Sequence, residues 1–503
     1  MCWESVRRFT FVFLWLFVFS LPSEGAVFFG PLGTISRLIG LGAALVGLLT
    51  ILHDGRFRKP GVVIWLSLAF VMANVISFLW TTDYDATLDR VPTYAQLFGL
   101  VWLLWEFARD RIDQERLMLA YCLGALVAIA QVVYNFSGGV EYYDMTKVPA
   151  FGSFTRAAAS RYAVSGFDPN DCGVTLALGI PMAWHLFLRA RGSVRLIVGY
   201  VPAACIAILL TGSRGAFLSA IVAVLIVPLA AARGKRVGHV VAAAVVCLLA
   251  AGAALTVVPH SNWDRIATAR QEITDGTMNG RKAIWIGAWR AFQERPLFGF
   301  GAGAFRTAVA RMPLPGGQRY PHNTNPHNAF LAVLIEQGLL GFGIFSLLIA
   351  TCVTLMWRTA SVDRRTAAVL MLTWFVGSMS LGWQYRKPTW LLFGLLAVQA
   401  STATALAERA RRQRADSEVG GFLLRLPVAP IDRAHPAPIG MDVGRAAARV
   451  HPTVERPMIE DVIVELIGDI RRLQSELADA LSPFGNVDNI KHVGSGSTQG
   501  ERQ

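Results

Sequence analysis

The chain has 503 residues, 54% of them hydrophobic and only 16% charged. Soluble domains carry about 25% charged residues, so this composition excludes an ordinary soluble globular protein and points to lipid. The net charge of +13 is spread one connection at a time and forms no stripe, which argues against a nucleic-acid partner.

In chain order, apolar runs long enough to cross about 30 Å of hydrocarbon as helices are predicted near 9–22, 33–52, 61–80, 92–108, 117–135, 171–188, 195–211, 215–232, 237–258, 329–357, 366–384 and 388–405. The expected fold class is therefore an all-α polytopic membrane protein of about twelve transmembrane helices. The first run, preceded by Arg7-Arg8 and followed by "LPSEGA", also has the form of a signal peptide; it is taken here as an uncleaved span. Basic clusters test the count. Arg7-Arg8, Arg56/Arg58/Lys59, Arg109/Arg111/Arg116, Arg189/Arg191/Arg195, Arg233/Lys235/Arg236, Arg358/Arg364/Arg365 and Arg409 to Arg414 fall in every second connection. Cytoplasmic loops concentrate Lys and Arg, so both ends of the chain are expected inside.

The other connections face outward. They are the acidic "TTDYDATLD", a long mixed loop at 136–170, the tight turn "TGSRG" and a large loop at 259–327. Residues 1–405 make the membrane body. A basic, Pro- and Ala-rich linker follows at 406–457. An amphipathic helix is predicted at 458–482, with Ile459, Ile463, Leu466, Ile470, Leu473 and Leu477 on one seam suited to self-association or a cytoplasmic partner. Residues 483–503 form a tail expected to be disordered. Six cysteines (Cys2, Cys122, Cys172, Cys205, Cys247, Cys352) include no CxxC pair and mostly lie inside the spans. No disulfide framework, metal site or cofactor is expected.

Polar residues with chemical potential gather on the outward side. "GFDPNDCG" is a turn and helix start; Asn170 could line a polar site there, and Arg161 supplies a nearby cation. "TGSRGAF" places Arg214 in a turn that normally avoids arginine, although a snorkelling interfacial side chain would explain it as well. In "NGRKAIWIGAWRAFQERPLFGFGAGAF", Ile284, Trp285, Ala288, Trp289 and Phe292 share one helical face, as on a helix lying along the membrane surface. Arg281 opens that helix, where a guanidinium beside backbone N–H groups suits an anion; a solvated lid residue is the alternative. "FGFGAGAF" reads as a flexible glycine-rich turn. In "PHNTNPHNAFLAVLIEQGLLG", Asn325 is the expected cap and Pro326 the first helical residue. That puts His327 and Asn328 in the first turn, where an imidazole held neutral could act as a general base. A plain capping residue is the competing explanation, and His322 lacks the helix-start context. Glu336, nine residues on, falls on the opposite side of the helix from His327. It is expected to pair with another helix as a structural intramembrane acid.

Together these motifs resemble the O-antigen ligase and polymerase superfamily of bacterial envelope proteins over roughly residues 30–405, with "PHNAFLAVLIEQGLLGFGIF" the most specific stretch. The resemblance implies a metal-independent, multi-pass glycosyltransferase of the inner membrane. Its donor would be a glycan on a polyprenyl diphosphate, and its acceptor a growing glycan or lipid A-core, met on the periplasmic face among membrane lipids. It further implies that Arg214 and Arg281 hold the diphosphate and that His327 activates the acceptor hydroxyl, with Arg161, Asn170, His322 and Asn328 as accessory candidates. Within the family, lipid A-core ligase and repeat-unit polymerase stay open. An anion transporter is the alternative of another class, disfavoured because transporters place their ionisable groups near the bilayer midplane.

Overall fold

A computed structural model of the chain describes residues 3–30, 33–55, 57–142, 161–188, 194–232, 245, 248, 251–252, 254–267, 281–313, 324–359 and 361–423. Those residues are all-helical apart from one isolated bridge between Phe28 and Thr34. The long helices are α1 (Trp3–Ser20), α2 (Ile35–Asp54), α3 (Val62–Ile76), α4 (Tyr84–Phe107), α5 (Arg111–Ser137), α6 (Pro169–Leu188), α7 (Val194–Leu210) and α8 (Arg214–Ala232). Three short ones follow: α9 (His260–Ala267), α10 (Arg281–Glu294) and α11 (Phe305–Ala310). Then come α12 (Ala329–Met356), α13 (Ser361–Ser378) and α14 (Lys387–Leu423). Helices stand at eleven of the twelve predicted spans, while 237–258 lies mostly outside the described residues. Seven helices among the described residues are long and apolar enough to cross a membrane.

The bundle is organised around α6, which is buried from Asp171 to Leu186. It packs against α5, α7, α8 and α13, while α1 and α2 form a pair at the periphery against α4 and α5. On α2 the exposed large hydrophobic side chains are Leu41, Leu45, Leu48, Leu49 and Leu52. An unpartnered leucine stripe at helical spacing is what a lipid-facing surface requires. Ion pairs tie the helix ends on the side carrying the basic clusters: Arg7 to Asp54 at 2.8 Å, Arg109 to Glu106 at 2.8 Å and Arg111 to Asp363 at 3.2 Å. The last helix runs past residue 405 to Leu423, through part of the segment expected to be linker. Its Ala, Glu, Gln and Arg residues are strong helix formers and carry the helix on. The predicted amphipathic helix at 458–482 and tail at 483–503 lie outside the described residues.

Two features of the 259–327 connection differ from the sequence reading. The glycine-rich turn is held fast. At Gly338 (φ 62°) α12 is broken, and residues 296–301 are laid into the break as a strap. Phe300 N–H bonds Ile335 O (3.0 Å), Gly301 N–H bonds Glu336 O (2.8 Å), and Leu339 and Leu340 N–H bond Pro296 O (2.8 Å) and Leu297 O (3.2 Å). The backbone groups freed by the kink are thus satisfied inside the protein, as apolar surroundings demand. Gly299 makes the approach feasible: its φ is 68°, and a Cβ there would lie 2.6 Å from Gly338 N. On α10 the face turned to the protein holds Ile284, Gly287, Ala288 and Ala291, while Trp289 is 54% exposed. Small residues let α10 lie close against α11 and α12, and the larger aromatic is left outside.

Candidate functional site

The turn between α7 and α8 is the centre of the site. Thr211 Oγ1 donates to Ile208 O at 2.6 Å, Gly212 takes φ 59°, and the Ser213 hydroxyl accepts Ala216 N–H at 3.2 Å as the cap of α8. Arg214 is therefore the first residue of α8. Helix α9 is docked onto this turn by Asn262, whose Nδ2 donates to Leu209 O (3.0 Å) and Leu210 O (3.3 Å).

Three arginines wrap the turn. Arg161 Nε donates to Thr211 O at 2.9 Å, Arg265 Nε to Gly212 O at 2.9 Å, and Arg214 Nε to Arg265 O at 2.7 Å. Each bond fixes the plane of a guanidinium. Glycine at 212 is favoured by its left-handed backbone (φ 59°); a Cβ there would rest in ordinary contact with Arg161 Cγ (3.4 Å) and Arg265 Cδ (3.5 Å). Arg161 also donates to Asn170 Oδ1 at 3.0 Å; Asn170 in turn bonds Asp168 Oδ1 through its backbone N–H (2.7 Å) and side-chain amide (2.8 Å). Arg281, opening α10, joins the same group. Burial lowers its pKa below the ordinary guanidinium value; Asp168 works against that, and the neighbouring charges of Arg214 and Arg265 add to it. Arg161, Asn170, Arg214 and Arg281 are thus brought together. Arg265 was not singled out from the sequence: it lies in a short polar segment, and its partner turn is some fifty residues away in the chain.

His327 does not stand in a first helical turn. Asn328 is the cap of α12, its Oδ1 accepting Phe330 and Leu331 N–H at 3.0 Å each, and the helix begins at Ala329. The expected cap, Asn325, instead accepts from Arg306 Nη2 at 2.8 Å. Pro326 is held outside the helix, its carbonyl accepting Trp285 Nε1–H at 3.1 Å. His327 is the one non-glycine residue with positive φ (47°) among those described, a sparsely populated conformation for a ring-bearing side chain.

Two bridges fix His327 relative to the arginines. Trp285 lies one helical turn from Arg281 on α10 and bonds Pro326. The loop after α13 touches both sides, with Met379 O accepting Asn328 Nδ2–H at 3.4 Å and Ser380 lying against Gly215, next to Arg214. His322 lies outside the described residues.

Glu336 is buried at 4% exposure. Its carboxylate accepts the backbone N–H groups of Gly303 and Phe305 at the start of α11, and it faces Arg90 of α4. Negative charge at a helix N-terminus is favoured. The Arg90 guanidinium lies 3.8 Å from the centre of the Tyr385 ring. Arg386 and Trp383 both donate to Asp171, and Lys387 to Glu24. No group of three or more His, Cys, Asp or Glu suited to a metal ion occurs among the described residues.

Residues 199–346, which include most of α7 and all of α8, with Arg265, Arg281, the strap, His327 and Glu336, match the O-antigen ligase family. This bears out the resemblance to the O-antigen ligase and polymerase superfamily and indicates a ligase- or polymerase-like function in polysaccharide assembly for a multi-pass membrane protein. No curated protein matches the chain.

Proposed function

We propose that the chain is an inverting, metal-independent glycosyltransferase that moves a glycan from a polyprenyl diphosphate to an acceptor hydroxyl on the periplasmic face of the bacterial inner membrane, as an O-antigen ligase does. The observation that carries this reading is the arginine group around the 211–214 turn, bridged at two points to the segment of His327. It lies at the opposite end of α6 and α12 from the basic connections, which are cytoplasmic by the charge rule. Twelve spans with both ends inside and 259–327 as a periplasmic loop belong to the same reading.

In this mechanism Arg214 and Arg281 hold the diphosphate, neutralising charge that grows as it departs. His327 takes the acceptor proton, and direct displacement inverts the anomeric carbon. Diphosphate is a good leaving group once its charge is held, so one base suffices. The test is transfer from a purified polyprenyl-diphosphate glycan in detergent without added metal, comparing wild type with His327→Ala and Arg214→Ala at matched folding. Both variants are expected to lose transfer. Wild-type turnover by His327→Ala would remove the histidine from the mechanism, and the acceptor that works separates ligase from polymerase.

A further inference from the structure

Between α13 and α14 the chain makes a short turn, Trp383–Tyr385, whose surroundings are tied together by hydrogen bonds. Trp383 Nε1–H donates to Asp171 Oδ1 at 2.8 Å, Thr389 Oγ1 donates to Trp383 O at 2.7 Å, and Trp390 Nε1–H donates to Gln384 O at 2.8 Å. Arg386 donates to Asp171 as well. The side chain of Gln384 is the exception. It is 1% exposed, yet among the described residues neither its Oε1 nor its Nε2 has a hydrogen-bond partner. A buried amide left in that state costs the desolvation of its polar atoms, a cost that methionine, of similar length, avoids. The bonds on either side pin the backbone, so the amide is presented from a fixed base.

The amide is aimed at the segment of His327. A Cβ on Gly382 would lie 3.6 Å from Gln384 Oε1 and 3.5 Å from Pro326 Cγ, so the two face each other across a residue without a side chain. The connection crosses the site in order. Ser380 lies against Gly215, beside Arg214; Gly382 lies against Pro326, beside His327; Gln384 comes next. In direct displacement the acceptor oxygen enters opposite the departing diphosphate, which puts the acceptor on the histidine side. An amide oxygen is satisfied only by a donor. An ionised diphosphate has none to give, whereas a sugar hydroxyl both donates and accepts. Resting on the glycosyl-transfer reading above, we propose that Gln384 is a binding residue for the acceptor glycan, its amide taking one sugar hydroxyl as Pro326 gives way. The contact is made with the acceptor in place. An acceptor that brings the hydroxyl satisfies the amide, and one that lacks it leaves the amide buried and unpaired, which is a source of selectivity.

The test uses full-length protein in detergent with a purified polyprenyl-diphosphate glycan as donor. The acceptor probes are lipid A-core and a repeat-unit oligosaccharide without diphosphate, which cannot itself act as donor. Gln384→Met keeps the length of the side chain and removes the amide. Its KM for the acceptor that wild type uses should rise about 3- to 10-fold, the range of one hydrogen bond, with the donor KM within about twofold of wild type. Its unfolding temperature should be no lower than that of wild type. Among acceptors that each lack one hydroxyl, one should be poorer for wild type by the same factor. For Gln384→Met that acceptor should be no poorer than the complete one. A raised donor KM with the acceptor KM unchanged, a fall in kcat alone, a lowered unfolding temperature or wild-type kinetics throughout overturns the proposal. The last is the outcome if the amide serves only a buried water. Should Gln384→Met not fold, Gly382→Ala decides, because its methyl group would stand in ordinary contact with both Pro326 Cγ and Gln384 Oε1. A higher acceptor KM in that variant supports the assignment, and wild-type kinetics refutes it. If wild type transfers to neither acceptor, the transferase reading itself falls. If wild type transfers and Gln384→Met matches it, only this inference does.

Discussion

Alanine at Gly338 and alanine at Gly343 are the same substitution in the same helix, five residues apart, and should have opposite consequences. Gly338 takes φ 62° and ψ −163°, a region used almost only by glycine and costing other residues about 1–3 kcal/mol. A Cβ there would also strike the Leu297 carbonyl and Phe298 N, so the strap must move. Four backbone bonds depend on its position. Losing two of them, at about 1 kcal/mol net each, brings the expected cost to about 3–5 kcal/mol. The higher figure applies if the freed groups find no other partner in apolar surroundings. At Gly343 a Cβ would meet nothing within 4 Å, and alanine in place of a helical glycine is neutral or stabilises by up to about 1 kcal/mol. Reversible unfolding of the two variants in mixed micelles, side by side with wild type, reads the difference directly. Equal stability of Gly338→Ala and Gly343→Ala would refute the account of the strap as the element that satisfies the broken helix.

Three further outcomes are expected. His327→Gly and His327→Ala should both lack transfer, but the glycine variant should be more stable by about 1 kcal/mol because φ 47° suits it; equal stabilities in the same unfolding assay would mean the left-handed backbone is not maintained. Asn328→Ala should lose about 1 kcal/mol as a missing helix cap while Asn328→Asp retains it, and an alanine variant as stable as wild type would show that Asn328 is not the cap. Trp285→Phe removes only the N–H that reaches Pro326 O. It should lower turnover about tenfold with a stability change near 1 kcal/mol; unchanged steady-state kinetics would show that this bridge does not position His327.

The apolar helices were legible because hydropathy is a matter of composition over a window of residues, which the chain itself displays. Arg214 and Arg281 were legible as cations at helix starts, where their positions are odd enough to notice. What escaped the sequence depends on contacts between distant segments. "NTNPHNAF" contains two asparagines able to cap, and local chemistry alone favours Asn325 before Pro326. The choice falls to Asn328 because Trp285 and Arg306 hold the preceding residues outside the helix. The glycines of "FGFGAGAF" looked flexible because their partners, Ile335 to Leu340, lie about 35 residues further along. Arg265 showed nothing at all: its meaning lies in a carbonyl at Gly212.

Several acids at this end of the bundle are held apart from the arginine group. Glu24 is taken by Lys387, Asp171 by Arg386 and Trp383, and Glu336 by Arg90 and two backbone N–H groups. Each of these buried or half-buried carboxylates has its own cation on an element other than α8, α9 or α10. Asp83 is occupied as the cap of α4, with Thr307 donating to its other oxygen. Among the described carboxylates, Asp168 acts on Arg281, and it is engaged by Asn170. Had the same acids been placed among Arg161, Arg214, Arg265 and Arg281, they would hold the guanidiniums themselves. An incoming diphosphate would then have to displace a carboxylate before it could bind. Pairing these acids elsewhere ties α4, α6 and α12 to their neighbours and keeps all three carboxylates from competing for the guanidiniums at the 211–214 turn.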